Sequence, residues 1–128
     1  MKILLDTHIL LWAAASPEKI PEKGRVKIED SANELFFSAA SLWEITIKNG
    51  LGRTDFHVNA SLLRRSLLDN GYHELSISGI HALAVENLPF IHKDPFDRML
   101  VAQASTEGLL LITADSVLTK YSAPVFLV

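Results

Sequence analysis

The chain contains no cysteine among its 128 residues. A disulfide framework and thiolate metal sites are therefore excluded, and the composition suits the reducing environment of the cytoplasm. No apolar run approaches the roughly 20 residues that a membrane span requires. The N-terminus also lacks the basic segment and small-residue cleavage site of a signal peptide. We therefore expect a cytoplasmic protein with no membrane partner.

Positive charge is also scarce, since 12 Lys and Arg residues against 15 Asp and Glu residues give a formal net charge of −3. This balance argues against a protein that coats duplex DNA non-specifically, because such a protein needs a basic face. It does not exclude nucleic acid as a substrate, because a bound cation changes the local field. The length and the hydrophobic content of 48% indicate one globular domain over residues 1–128.

Apolar runs alternate with amphipathic segments along the chain. Residues 2–5 and 109–112 are continuous apolar runs, as in strands buried on both faces of a parallel sheet. Further strands are predicted at 35–38, 72–77 and 124–127, and a loop at 52–59. Helices are predicted at 9–15, 21–33, 39–48, 60–69, 79–87 and 95–106, with a short one ending at Tyr121. The alternation predicts an α/β fold: a three-layer single domain with a mainly parallel central sheet flanked by helices.

Turn-forming residues mark several helix boundaries. Asn49-Gly50 and Asn70-Gly71 each read as a left-handed cap that ends a helix. Asp94 and Pro95 form an N-cap and first-turn pair, which is more often structural than catalytic. Gly108 lies near the end of the helix that this pair begins.

Four acidic residues fall at equivalent places in this layout. Asp6 and Asp115 each follow an apolar strand, and Glu44 lies one turn into the helix after the second strand. Asp97 lies in the first turn of the helix that precedes the 109–112 strand. In open α/β sheets the catalytic crevice lies just beyond the carboxyl ends of the strands. If the first strand and the 109–112 strand are neighbours, all four carboxylates converge on one crevice.

Four like charges in one crevice are costly. Two of them ~4 Å apart repel by about 4 kcal/mol at an effective dielectric of 20. A hard dication removes this cost, and oxygen-only ligands select magnesium or manganese over zinc. Such ions support in-line displacement at a phosphoryl group. The pattern therefore favours Mg²⁺ or Mn²⁺ held by Asp6, Glu44, Asp97 and Asp115.

At these residues the chain resembles PIN-domain ribonucleases, specifically VapC-type toxins of bacterial toxin–antitoxin pairs. The matching motifs, in the family's order, are residues 4–12, 38–48, 92–104 and 111–115. Together they span essentially the whole chain, and the ordered set is highly specific. The sequence departs mildly from the family at residues 49–55, where a Gly-Lys-Leu-like end is usual.

The resemblance implies a fold, an activity and partners. It implies a PIN-like Mg²⁺- or Mn²⁺-dependent endoribonuclease that cleaves RNA, is usually a homodimer and is silenced by a cognate antitoxin protein. Asp6 and Asp97 become the principal metal ligands by this match, and Glu44 and Asp115 complete the catalytic site.

Each acidic residue also has a structural interpretation. Asp6 and Asp115 are each placed to cap a following helix. Asp97 would be the third residue of its helix, where a carboxylate suits the helix dipole. Glu44 and Lys48 have the spacing of an exposed helical ion pair, worth only ~0.3–0.5 kcal/mol. Four separate caps and pairs are plausible one by one, but their placement around the same strand ends favours a common site.

The other polar candidates are weaker. Thr7 and Thr113 can hold a carboxylate, although turn hydrogen bonding is commoner. His92 lies near the third motif and is a candidate substrate contact. The five histidines show no zinc-pair spacing. Two compact basic groups are candidates to steer a phosphate backbone, Arg64-Arg65 and Lys93 with Arg98, although solvated surface is the default interpretation of Arg64-Arg65.

Three rival functions remain. A receiver-like phosphoacceptor would carry adjacent acidic residues at its first strand, but Thr7 follows Asp6 here. A metal-dependent phosphohydrolase of a small substrate would need an Asp-x-Asp motif, and His8 occupies its second position. The non-enzymatic alternative is a catalytically silent PIN-like scaffold that only pairs with another protein.

Overall fold

The computed structural model describes residues 1–52 and 56–128, and it alternates strands and helices as expected. The strands are β1 (Lys2–Leu5), β2 (Glu34–Ser38), β3 (His73–Leu75), β4 (Leu110–Thr113) and β5 (Val125–Leu127). The helices are α1 (Thr7–Ala15), α2 (Glu22–Glu29), α3 (Ala39–Gly50), α4 (Ala60–Asp69), α5 (Gly79–Glu86) and α6 (Pro95–Glu107). Two short 3-10 turns add Pro17–Lys19 and Ser116–Lys120.

The five strands form one sheet in the order β3-β2-β1-β4-β5, and every pairing in it is parallel. β1 lies at the centre, so the chain first builds outward through β2 and β3 and then crosses to the other side of β1. Neighbouring crossovers therefore leave β1 in opposite directions, which opens a crevice at the carboxyl end of the central strand. The condition for convergence of the acidic residues, that the first strand and the 109–112 strand are neighbours, is met.

The core lies on both faces of this sheet. Ile3 and Leu5 point into one cluster, which also holds Ile9 from α1, while Leu4 points into a second with Leu100 from α6. All five side chains are fully buried. Alternate residues of β1 thus serve opposite layers, which is why the strand is apolar without interruption. The three-layer arrangement expected from the sequence is confirmed.

Most helix boundaries agree with the sequence, but one cap is wrong. α3 continues through Gly50 in right-handed conformation and ends at Leu51, and the left-handed residue is Gly52, with φ of 70°. The Asn49 side chain does not turn the chain, because it exchanges two hydrogen bonds with the backbone of Val58. The predicted cap at Asn70-Gly71 is confirmed, since Gly71 has φ of 85°.

Some predicted elements are shorter than expected. The segment 21–33 forms only α2, and the 72–77 strand is reduced to β3. The predicted loop at 52–59, and with it the departure from the family motif, falls partly on residues 53–55, which lie outside the described residues. None of the described helices is both long enough and apolar enough to cross a bilayer.

Two glycines give a direct test of these helix ends. Gly108 ends α6 with φ of 68°, so Gly108→Ala should lower the free energy of unfolding by about 1 kcal/mol. Gly50 is helical, and among the described residues no atom lies within 4 Å of an added Cβ. Gly50→Ala should therefore raise that free energy by up to about 1 kcal/mol. Urea unfolding of both variants measures the difference, and equal effects would contradict the assigned helix ends.

Candidate functional site

A cleft of about 570 Å³ opens at the carboxyl ends of β1 and β4. All four acidic residues singled out in the sequence line it, together with Asp94. The remaining lining residues are Thr7, His8, Leu11, Trp12, Lys48, Phe56 and Ala114. The predicted convergence of Asp6, Glu44, Asp97 and Asp115 on one crevice is what the fold produces.

Asp6 is both a helix cap and a cleft residue. Its Oδ1 accepts a hydrogen bond from the Ile9 N–H at 2.9 Å, which caps α1. Its Oδ2 accepts a hydrogen bond from the Thr113 hydroxyl on the neighbouring strand. Burial raises the pKa of Asp6, although these two hydrogen bonds oppose the shift. The capping interpretation and the site interpretation are therefore compatible, because both aim the carboxylate across the strand ends.

Thr113 connects two of the acidic residues. Its hydroxyl oxygen donates to Asp6 and accepts a hydrogen bond from the Asp115 N–H at 3.0 Å. Asp115 in turn accepts from the Val117 N–H at 2.9 Å and so caps the following 3-10 turn. Thr113 is completely buried, which fixes the relative positions of the two carboxylates. The suggestion that Thr113 holds a carboxylate is confirmed.

Glu44 is buried, so its interpretation as an exposed helical ion pair is wrong. The residue is only 6% exposed because α3 packs its first turns against the sheet. Lys48 Nζ lies 2.8 Å from Glu44 Oε2. The other oxygen, Oε1, is buried and has no hydrogen-bond partner in the described part of the chain. A buried carboxylate oxygen without a donor is costly, and it lies at the wall of the cleft.

Asp97 is a second perturbed carboxyl group of the site. Asp94 Oδ1 accepts from the N–H groups of Phe96 at 2.8 Å and Asp97 at 3.2 Å, which places Asp97 in the first turn of α6. Burial, followed by repulsion from Asp94 and Asp6, raises the pKa of Asp97 to about 7. His92 opposes this shift, and Glu44 adds to it. The acidic residues therefore interact electrostatically across the cleft.

His92 is a site residue whose role the sequence analysis missed. Its Nε2 lies 2.9 Å from Asp115 Oδ2 and 3.4 Å from Asp97 Oδ2. Within the described residues, these three side chains are the one acidic or histidine group whose ligand atoms all lie within 4.8 Å of one another. The signal in the sequence was the position of His92 two residues before the Asp94 cap, but that spacing alone does not specify a contact with Asp115.

The predicted basic groups do not serve the cleft as expected. Arg98 is 9% exposed and donates to the carbonyl oxygens of Val85 and Pro89, so its proposed contact with a phosphate backbone is wrong. Arg64 donates two hydrogen bonds to Glu74 on the surface. The cation that does line the cleft is Lys48, which the sequence showed only as a partner of Glu44.

Comparison with known proteins agrees with this geometry. A family model described as PIN domain matches residues 3–124. Ribonuclease VapC22 of Mycobacterium tuberculosis is 26% identical over 122 residues, covering 95% of this chain and 93% of the relative.

Solved structures are similar over the whole fold. The crystal structure of VapBC2 from Rickettsia felis, bound to a DNA fragment from its promoter, superposes with a TM-score of 0.73 at 12% identity. That match covers 100% of this chain and 99% of the other. DNA-bound VapBC from Salmonella typhimurium superposes with a TM-score of 0.68 at 14% identity, covering 98% and 97%. At these identities the likeness shows a shared fold.

Because the pKa of Asp97 is raised, we expect Asp97→Asn to increase the free energy of unfolding, by an amount that depends on pH. The measurement uses protein kept free of divalent ions by EDTA. An acid whose pKa is raised on folding destabilises the fold once it ionises, so its cost develops above the ordinary value of 3.8 and is complete above about 7. Removing the charge should stabilise the protein at pH ~8 by about 1–2 kcal/mol, discounted for solvent screening, and by little at pH ~4. The lost helix-dipole interaction, about 0.5 kcal/mol, is smaller.

Urea unfolding at the two pH values measures this gain. Asp69→Asn is the control, because Asp69 is exposed at the end of α4 and outside the cleft. The repulsion argument fails if Asp97→Asn destabilises the metal-free protein equally at both pH values.

Proposed function

This chain belongs to the PIN domain family, and from that premise we propose that it is a Mg²⁺- or Mn²⁺-dependent endoribonuclease. We further propose that it acts in the cytoplasm as the toxin of a toxin–antitoxin pair. Asp6, Glu44, Asp97 and Asp115 are the proposed metal ligands and catalytic residues. The observation that carries the proposal is their convergence on one cleft from four separate elements.

The donor set fits a hard divalent cation. Each proposed ligand is a carboxylate, and oxygen ligands suit Mg²⁺ and Mn²⁺ better than softer metals. Glu44 Oε1 is a buried oxygen without a hydrogen-bond partner among the described residues, so a cation in the cleft would satisfy it. A cation would also relieve the repulsion that raises the pKa of Asp97. One bound cation would therefore offset both the cost of the unpaired Glu44 oxygen and the cost of the repulsion at Asp97.

When bound, such a cation supplies Lewis-acid chemistry for phosphodiester hydrolysis: it polarises the phosphate and lowers the pKa of water. The protein's part is to fix the carboxylates beforehand. Thr113 and the Ile9 N–H hold Asp6, and the Val117 N–H holds Asp115. Because these donors are buried or belong to the backbone, the site needs little rearrangement to become active.

The wall of the cleft that apolar residues and Lys48 form suits an RNA chain. Trp12, Leu11 and Phe56 present apolar surface there, and Lys48 adds a cation. Unpaired bases stack on aromatic side chains, and a lysine contacts phosphate. This wall therefore supports a nucleic-acid substrate over a small phosphate ester, which would leave the aromatic surface unused.

The toxin role and the antitoxin partner are supported by the relatives. One relative is named as a ribonuclease of the VapC type, and the solved structures with the same fold are VapBC complexes. The shared fold extends over nearly the full length of those chains, which supports the same kind of partner for this chain.

Asp6→Asn and Asp97→Asn should each reduce RNA cleavage by at least about two orders of magnitude, because each removes a charge that holds the cation. Cleavage of a structured RNA, followed on denaturing gels with Mn²⁺ or with EDTA, measures the loss. Calorimetry with Mn²⁺ should show weakened binding in the same variants. Asp69→Asn, an exposed carboxylate on α4, is the matched control and should retain activity.

Metal-dependent cleavage that survives in a clean Asp97→Asn preparation contradicts the assignment. A wild-type protein that binds an antitoxin but neither binds Mn²⁺ nor cleaves RNA would identify the catalytically silent scaffold instead. A protein that hydrolyses a small phosphate ester but does not cleave RNA would be identified as the phosphohydrolase.

We also propose that the chain forms a homodimer through a second, apolar surface. Its exposed members lie on α3, before α5, on α5 and after α5: Trp43, Ile77, Ile80, Leu83 and Phe90. Trp43, Ile77 and Phe90 line a cavity of about 430 Å³ whose lining is mostly apolar, and α5 contributes Ala82 and Val85 to it. Exposed apolar surface of this kind marks a protein–protein contact.

The double variant Ile80→Glu/Leu83→Glu should dissociate this dimer, because it places two charges on side chains that are 69% and 70% exposed in the single chain. Analytical ultracentrifugation measures the change in mass. Val26→Glu on α2, at a side chain 61% exposed, is the control and should remain dimeric. A wild-type protein that sediments as a monomer at every concentration rejects the proposed dimer.

A further inference from the structure

His92 is the histidine that lies among the proposed metal ligands. Its Nε2 approaches Asp115 Oδ2 at 2.9 Å and Asp97 Oδ2 at 3.4 Å. Distance alone makes the imidazole a candidate fifth ligand beside the four carboxylates, since a cation within reach of Asp97 and Asp115 would also be near Nε2. The hydrogen bonds on the other side of the ring decide between coordination and a different role.

The Nδ1 atom of His92 accepts a hydrogen bond from the Asp94 backbone N–H at 3.0 Å. An amide N–H can only donate, so Nδ1 must present a lone pair and carry no hydrogen. In a neutral imidazole the single hydrogen then belongs to Nε2. The Nε2–H therefore donates to Asp115 Oδ2, and its lone pair is not free for a metal.

The backbone around His92 keeps this arrangement in place. The His92 N–H donates to the Tyr121 hydroxyl at 2.9 Å, and Tyr121 is only 4% exposed. The same hydroxyl accepts from Arg98, which is itself buried. Asp94, the donor to Nδ1, is held as the N-cap of α6 by its bonds to that helix. Rotating the ring or exchanging its tautomer would leave the Asp94 N–H facing another donor.

We infer that His92 is a positioning residue, which holds the Asp115 carboxylate beside Asp97 through its Nε2–H and does not itself coordinate the cation. The inference rests on the proposed metal-dependent function. It explains why Asp94 and the buried residues Arg98 and Tyr121 support one partly exposed imidazole. Hydrogen-bonded partners of this kind orient metal-binding side chains and raise affinity without touching the ion.

The first test needs no variant. Pulsed electron paramagnetic resonance of the Mn²⁺-loaded protein detects the ¹⁴N coupling of a directly bound imidazole. We expect no such coupling from His92. A coupling present in the wild type and lost in His92→Gln overturns the inference while leaving the proposed metal site intact. Failure of the wild type to bind Mn²⁺ at all overturns the metal site, and the role of His92 with it.

The tautomer is tested in metal-free protein. Long-range ¹H–¹⁵N correlation spectra at pH ~8, where an ordinary histidine is neutral, should show the His92 hydrogen on Nε2. A hydrogen on Nδ1 overturns the inference independently of any metal. Assignment is made by the signal missing in His92→Gln.

Two substitutions then separate hydrogen bonding from packing. His92→Ala should weaken Mn²⁺ binding by about 10–100-fold, whereas His92→Gln, whose amide can donate from the place of Nε2, should recover most of the affinity. His73→Ala is the control, because His73 is exposed at the amino end of β3, away from the strand ends that form the cleft. Equal loss of affinity in His92→Gln and His92→Ala contradicts the donor role.

Discussion

The parallel pairing of β1 with β4 is the constraint on which the rest of the site depends. Leu5 lies beside Ile112, and the Asp6 N–H continues the ladder by donating to the Ile112 carbonyl oxygen at 3.1 Å. The strands therefore end together, with Asp6 next to Thr113, although these residues are 107 positions apart. Slipping this register by one residue would turn Thr113 to the other face and separate Asp6 from Asp115.

The acidic side chains around this pairing have two physical roles at once. Asp6, Asp94 and Asp115 cap helices or turns through backbone N–H groups, which stabilises the fold locally. The same geometry crowds negative charge at one edge of the sheet: burial raises the pKa of Asp97, and repulsion from Asp94 and Asp6 raises it further. Capping keeps the carboxylates in place while repulsion favours a cation between them. Local stability and the proposed metal site therefore share the same atoms.

Where sequence reasoning failed, the cause was contact between distant residues. Glu44 and Lys48 have the spacing of a surface pair, and that pair exists, but packing of α3 on the sheet buries the carboxylate. Arg98 is a residue type that often contacts phosphate, yet its side chain points inward and donates to the carbonyl oxygens of Val85 in α5 and of Pro89 after it. His92 needed the position of Asp115, which belongs to another strand end. In each case the residue type indicated the chemistry of the side chain, but the neighbouring residues in the sequence did not indicate which distant groups it contacts.

The sequence by itself determined the succession of strands and helices, the caps at Asp94 and Asn70-Gly71, and the placement of four acids after strands or at helix starts. These features depend on hydrogen bonds and apolar periodicity within a few residues, so they can be read locally. Tertiary structure alone decided that Glu44 is buried with one oxygen unpaired, that Thr113 joins Asp6 to Asp115, and that His92 faces two carboxylates. Such contacts depend on which strands become neighbours and on how deeply each helix packs. The spacing of residues within a few positions of the sequence predicts neither.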